Sequence, residues 1–134
     1  MAGFLSVIAL SATAMATSPQ PRVATAVKAA PLPGDPHRGA AIYEARCSAC
    51  HSLDANRIGP SHRGVFGRRS GTVANFTYSR ALKASGVVWT AANLDIWLSG
   101  PTKMVPGAAM GVRVSSPQER ADIIAYLRQA STVR

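Results

Sequence analysis

Acidic side chains are scarce in this 134-residue chain: six Asp and Glu stand against fifteen Lys and Arg, a formal net charge of +9. Such a surplus points to an acidic partner, whether nucleic acid, an anionic membrane or a protein with an acidic patch. Two further shortages argue against nucleic acid. Aromatic residues make up only 6% of the chain, and no basic run exceeds Arg68-Arg69. No basic stripe interleaved with aromatics is therefore available to follow a phosphate backbone. Cysteine is limited to Cys47 and Cys50. Two thiols three residues apart do not make a disulfide scaffold and serve a local purpose. No apolar run reaches the roughly 20 residues that a membrane-spanning helix needs. Apolar residues as a class are plentiful, at 47%, enough for one core in a domain of about a hundred residues.

The N-terminal quarter separates from the rest. Residues 4–16, FLSVIALSATAMA, form an uncharged apolar run of signal-peptide length. Ala14-Met15-Ala16 supplies the small-x-small pattern after which a signal peptidase cuts. Residues 1–16 are read as a cleaved signal peptide, although no Lys or Arg precedes the run. An N-terminal core helix and an uncleaved membrane anchor are the competing readings. Residues 17–33 hold four prolines, which precludes a regular element, and read as a spacer. Residues 34–134 are the folded domain, with 13 Lys and Arg against 6 Asp and Glu. The surplus belongs to that domain. Cleavage implies a periplasmic protein with no stable membrane span; retention implies an anchored one.

From Gly34 onward the local signals are helical. Asp35 is an N-cap and Pro36 suits the first helical position. Ile42 and Tyr43 share a face with Gly39 and Cys47. A long irregular stretch runs from Ser52 to Asn75, punctuated by Gly59-Pro60, Gly64, Gly67 and Gly71; its length suggests that it wraps something. A short helix is expected from Ser79 to Ser85, ended by Gly86. Thr90 caps another, with Leu94, Trp97 and Leu98 on one face and Gly100-Pro101 as its stop. Ser116, Pro117 and Glu119 make a proline-led capping box for the last helix, whose Ile123, Ile124, Leu127 and Ala130 line one side. The expected architecture is all-α, three or four helices with long loops and no sheet.

Cys47-Ser48-Ala49-Cys50-His51 is C-x-x-C-H, the attachment sequence of c-type haem. Residues three apart on a helical turn lie on one side, so both thiols reach the two vinyl groups of a porphyrin. His51 then projects its imidazole over the macrocycle to the iron. A redox-active C-x-x-C would need a strand before it and a helix after it; here a helix precedes and a loop follows. Zinc would need two more ligands, and His37 and His62 are distant in sequence. A methionine opposite the histidine would complete six-coordinate iron and suit electron transfer. Met104 and Met110 are the candidates, each with core filling as its ordinary alternative. Met110 follows the rigid Pro106-Gly107 turn, whereas Met104 lies just past the helix stop. Local sequence favours Met110 and leaves both open.

The domain resembles class I cytochromes c, of the mitochondrial and small soluble bacterial kind, over about residues 34–131. The resemblance rests on Gly34-Asp35, Gly39, Tyr43, the motif at 47–51, Gly59-Pro60, Gly64-Val65-Phe66-Gly67-Arg68, Phe76-Thr77-Tyr78, Trp89, Pro106-Gly107-x-x-Met110 and Ile124-Ala125-Tyr126-Leu127. The loop after His51 is shorter than usual, and one residue is missing after Met110. The resemblance implies the class I fold around one covalent haem c, with His51 and Met110 as axial ligands. It implies that the Pro60 carbonyl accepts the other ring proton of His51. Arg68, Tyr78 and Trp89, with Ser79 nearby, would surround the haem propionates. Gly39 would let the first helix cross the last closely at Tyr126.

Four positions depart from the family pattern. Trp97 stands where a tyrosine usually neighbours the methionine sulfur, and an indole N–H would be the donor there. Leu82 replaces an asparagine, Ala108 a threonine, and His62 an apolar residue of the haem crevice. The expectation for His62 is a ring turned outward. The family's ring of lysines is thinned: Arg46, Arg57 and Lys103 remain, and Thr102 and Ala109 have lost theirs. What the resemblance implies is a monomeric single-electron carrier, not an enzyme, that docks on acidic patches of respiratory or other redox proteins. The alternatives are a dedicated electron-transfer subunit of one dehydrogenase or oxidase, and a haem enzyme or gas sensor with a labile sixth ligand.

Overall fold

Four of the five helices begin at a residue whose side chain caps them, and those caps set the architecture. The computed structural model describes residues 32–133; the signal-peptide reading of 1–16 and nearly all of the 17–33 spacer lie outside the described residues. In α1 (Pro36–Arg46) the Asp35 carboxylate accepts from the N–H groups of His37, at 2.8 Å, and Arg38, at 3.4 Å. In α2 (Arg80–Ser85) the cap is Ser79, and Gly86 closes the helix at φ 66°, a left-handed setting that suits glycine. Thr90 caps α3 (Ala91–Ser99) and Ser116 caps α5 (Pro117–Thr132).

Two expectations are revised. Gly100-Pro101 does end α3, but Pro101 then occupies the first position of a further single turn, α4 (Pro101–Met104). A proline has its φ preset for that position, so the same dipeptide stops one helix and starts another. Among the described residues there are five helices, the fourth a single turn, rather than three or four. The capping box of α5 is also only half made. The Ser116 hydroxyl accepts from the Glu119 N–H at 3.2 Å, but the Glu119 carboxylate turns to Arg46 on α1, 3.1 Å away.

The first and last helices cross in contact. A Cβ at Gly39 would fall 2.0 Å from the Asp122 carbonyl oxygen and 2.9 Å from the Tyr126 Cβ, so only glycine permits this approach. Asp122, 2% exposed, ties the crossing together. Its carboxylate accepts from the Asp35 N–H (2.8 Å), Arg38 Nε (3.0 Å) and Gln118 Nε2 (3.0 Å). Leu94, Trp97 and Leu98 of α3 pack on Ile123, Ile124 and Leu127 of α5.

The stretch between α1 and α2 has no helix or strand; its order comes from scattered backbone bonds. Gly59 N–H donates to Cys50 O, His62 N–H to Ser52 O and Arg63 N–H to Leu53 O. One antiparallel bridge pairs Arg69 with Val88. The Phe66 N–H donates to Ser131 Oγ at the end of α5, 3.1 Å away.

Five of the six acidic residues sit in ion pairs with arginine: Asp35 and Asp122 with Arg38, Asp54 with Arg63, Asp95 with Arg120 and Glu119 with Arg46. Among the described residues no helix is long and apolar enough to cross a membrane.

Candidate functional site

The end of α1 carries the chain directly into the C-x-x-C-H turn. The Cys47 N–H donates to Tyr43 O at 2.8 Å, still in helical register. Cys50 and His51 then both donate to Cys47 O, at 3.0 and 2.8 Å. This winds the chain once more and sets the two half-buried thiols beside the imidazole. Burial pushes the Cys47 thiol up to about 11, because a buried thiolate loses hydration.

His51 is held at one nitrogen. Its Nδ1 lies 2.8 Å from the Pro60 carbonyl oxygen, which can only accept, so Nδ1 carries the proton and Nε2 presents its lone pair. Burial pulls the imidazole below its ordinary pKa, against a smaller opposing effect of that carbonyl. Gly59 lies close against the ring: a Cβ there would stand 2.1 Å from His51 Cε1. Only a residue without a side chain lets the imidazole occupy this place.

These groups open onto a cavity of about 340 Å³, within the size range of ligand pockets. All ten residues singled out from the sequence line it: Cys47, Cys50, His51, Pro60, Arg68, Tyr78, Ser79, Trp89, Trp97 and Met110. Met104, the last residue of α4, packs on the core and is not among the lining residues. Val65, Leu94, Leu98, Ile123 and Leu127 supply apolar wall. The two indoles meet edge to face, 5.1 Å between centroids. Arg68 is held by the carbonyls of Arg63 (3.0 Å) and Ser61 (2.9 Å), and burial lowers its pKa from the ordinary arginine value.

His62 is not turned outward. It lines the cavity with its ring stacked on that of His51, 4.0 Å between centroids and 20° between planes. The physical reason is Tyr43: its hydroxyl lies 3.1 Å from His62 Nδ1. A tyrosine 4% exposed needs a polar partner for its O–H. Burial, with His51 and Arg68 nearby, pushes the His62 imidazole down to about 3, so it is neutral. Tyr43 itself is a wall residue that sequence reasoning did not assign to the site. Its signal was its place one turn before Cys47 on the buried face of α1. Ile58 and Val112 were missed as well; both line the cavity and are exposed, which marks its mouth.

The arrangement fits haem c. An imidazole with a fixed tautomer, two thiols, a thioether and apolar walls converge on one cavity, and a glycine cradles the ring. The cytochrome c family model matches residues 36–131. The chain is similar to cytochrome c of Ulva intestinalis, 41% identical over 103 residues, or 74% of this chain and 93% of that one. It is also similar to cytochrome c 2.1 of Caenorhabditis briggsae, 45% identical over 97 residues, covering 70% and 87% respectively. The fold superposes on cytochrome cH from Methylobacterium extorquens with a TM-score of 0.69 at 40% identity, over 72% of this chain and 99% of the other. The chain belongs to the cytochrome c family, as an electron carrier with haem c bound covalently through the pair Cys47 and Cys50.

Proposed function

We propose that His51 and Met110 ligate the haem iron from opposite sides, and that the protein shuttles single electrons between redox complexes in the periplasm. One observation carries this reading: His51, both cysteines and Met110 line the same cavity, and Met104 does not. When bound, haem supplies a one-electron iron couple, which imidazole and thioether ligation suits to electron transfer.

The surrounding residues have separate tasks. The Pro60 carbonyl accepts the Nδ1 proton of His51 and so aims Nε2 at the iron. The apolar walls restrict water and lower the local dielectric. Arg68, Tyr78, Ser79 and Trp89 line the cavity and would receive the propionates, where a cation and O–H and N–H donors would offset carboxylate charge. Trp97 and Met110 line the same cavity, and the indole N–H would be the donor to the Met110 sulfur in the tyrosine's place. No catalytic residue is assigned, and the protein is read as a monomeric carrier and not an enzyme. Its partners are redox proteins with acidic patches, met at a mouth where Ile58 and Val112 are exposed and Arg46 contributes charge. Export rests on the signal-peptide reading of residues 1–16.

Ligand substitution tests the assignment. Met110→Ala should abolish the far-red sulfur-to-iron band, lower the reduction potential and open the iron to carbon monoxide. Met104→Ala should leave all three unchanged; the reverse pattern would overturn the ligand assignment. Rapid carbon monoxide binding by the unmodified reduced protein would favour an open-site sensor instead. Docking by charge predicts that electron-transfer rates fall as salt rises. Rates independent of ionic strength would remove the acidic-patch partner.

A further inference from the structure

One wall of the cavity carries two imidazoles where iron needs one. His51 and His62 lie nearly face to face, 4.0 Å apart at 20°. Two imidazoles that bound one iron would approach it from opposite sides of the porphyrin, each end-on through a nitrogen. Rings stacked side by side on one wall do not meet that geometry, so His62 is not the sixth ligand opposite His51.

His62 is itself firmly held. Its backbone N–H donates to Ser52 O at 2.9 Å. Its Nδ1 lies 3.1 Å from the Tyr43 hydroxyl, and the Tyr43 ring stands edge-on to it at 5.7 Å. Tyr43 is anchored in turn by Tyr126 of α5, 5.2 Å between ring centroids. A contact chain therefore runs from the α1–α5 crossing through Tyr43 and His62 to the face of His51. The single bond from His51 to Pro60 fixes the tautomer, but one hydrogen bond leaves an imidazole some freedom to rotate about its ligating axis. A flat ring against its face, with the Gly59 backbone also close, restricts that rotation.

We propose that His62 is a positioning residue: stacked on His51 and tied to Tyr43, it sets the rotational angle of the ligating imidazole. This rests on the reading of His51 as an iron ligand. The plane of an axial imidazole, together with the orientation of the methionine sulfur opposite it, sets how unpaired spin spreads over the four pyrrole rings of ferric haem. The haem-methyl proton resonances report that combined orientation, whereas a merely structural role would alter stability and leave them in place.

The test uses the holoprotein and three variants, His62→Leu, His62→Phe and Tyr43→Phe. Proton NMR of the ferric form reads the methyl shifts, and the far-red band reads methionine ligation. With the band retained, His62→Leu should reorder or respread the four methyl resonances. His62→Phe keeps a flat ring and should recover most of the original pattern. Tyr43→Phe should move the pattern by a smaller step. An unchanged pattern in His62→Leu with the band present overturns this proposal alone. Absence of histidine–methionine signatures in the unmodified holoprotein overturns the functional reading, and this proposal with it. If His62→Leu fails to take up haem, Tyr43→Phe decides: a shifted pattern supports the proposal and an unshifted one overturns it.

Discussion

The α1–α5 crossing and the irregular wall between residues 47 and 79 border the same cavity but are built on opposite principles. The crossing is made of regular helices, a glycine contact and one enclosed carboxylate. The wall is made of single hydrogen bonds between residues about ten positions apart. The crossing turns Tyr43, Ile123 and Leu127 to the cavity, but its hydrogen bonds and its glycine contact are made between its own helices. The wall holds most of the polar residues that line the cavity. Stability and tuning are thus assigned to different parts of the chain.

The largest expected effect is on the crossing. Gly39→Val puts a branched side chain where a Cβ alone would stand 2.0 Å from the Asp122 carbonyl. Helix separation should cost about 3 kcal/mol or more, at the severe end for overpacking. Denaturant melts of the holoprotein check it, and a midpoint near the original would mean that the crossing is not where stability lies.

A smaller effect should follow from acid. Arg38 and the other donors hold the Asp122 carboxyl down at about 2, below the usual carboxylate range. A depressed folded-state pKa contributes stability that is fully present above the unfolded value of about 4 and disappears as pH falls through about 2. The contribution is at most about 2 kcal/mol, since Arg38 is largely in solvent and screened. Melts of Asp122→Asn and of the original protein should therefore differ at pH 7 and converge near pH 2. A gap that persists in acid would show that packing, not charge, is what Asp122 provides.

The smallest effect sharpens the other side of the comparison. Ser131→Ala removes the acceptor of the Phe66 N–H, one of the few ties between wall and crossing. It should cost about 1 kcal/mol. Amide exchange should quicken around residues 62–68 more than in α1. Uniform quickening across both regions would mean that they open as one unit.

The same division explains what could be read from sequence. Caps at Asp35, Thr90 and Ser116 are local chemistry, and each was legible, as were the apolar faces of α3 and α5. C-x-x-C-H named the cofactor because its spacing is set by the porphyrin itself. The restart at Pro101 was not legible: the same proline can end an element or begin one, and the backbone at Gly100 decides. The placement of His62 was not legible either. Its direction depends on its bond to Ser52 and on the Tyr43 hydroxyl, partners 10 and 19 positions away. No periodicity encodes such pairings. Local sequence favoured Met110 over Met104, and both pack on the core; what separates them is that Met110 alone lines the cavity.

The internal ion pairs have a consequence for crowded solution. With five of six acids already matched to arginines, Glu44 is the one acidic residue outside such a pair among the described residues. Copies of the protein can therefore offer one another little except positive charge. Such molecules repel at short range and resist sticking as their concentration rises. The chain's few acids, by pairing with its own arginines, keep its attractive charge for unlike proteins.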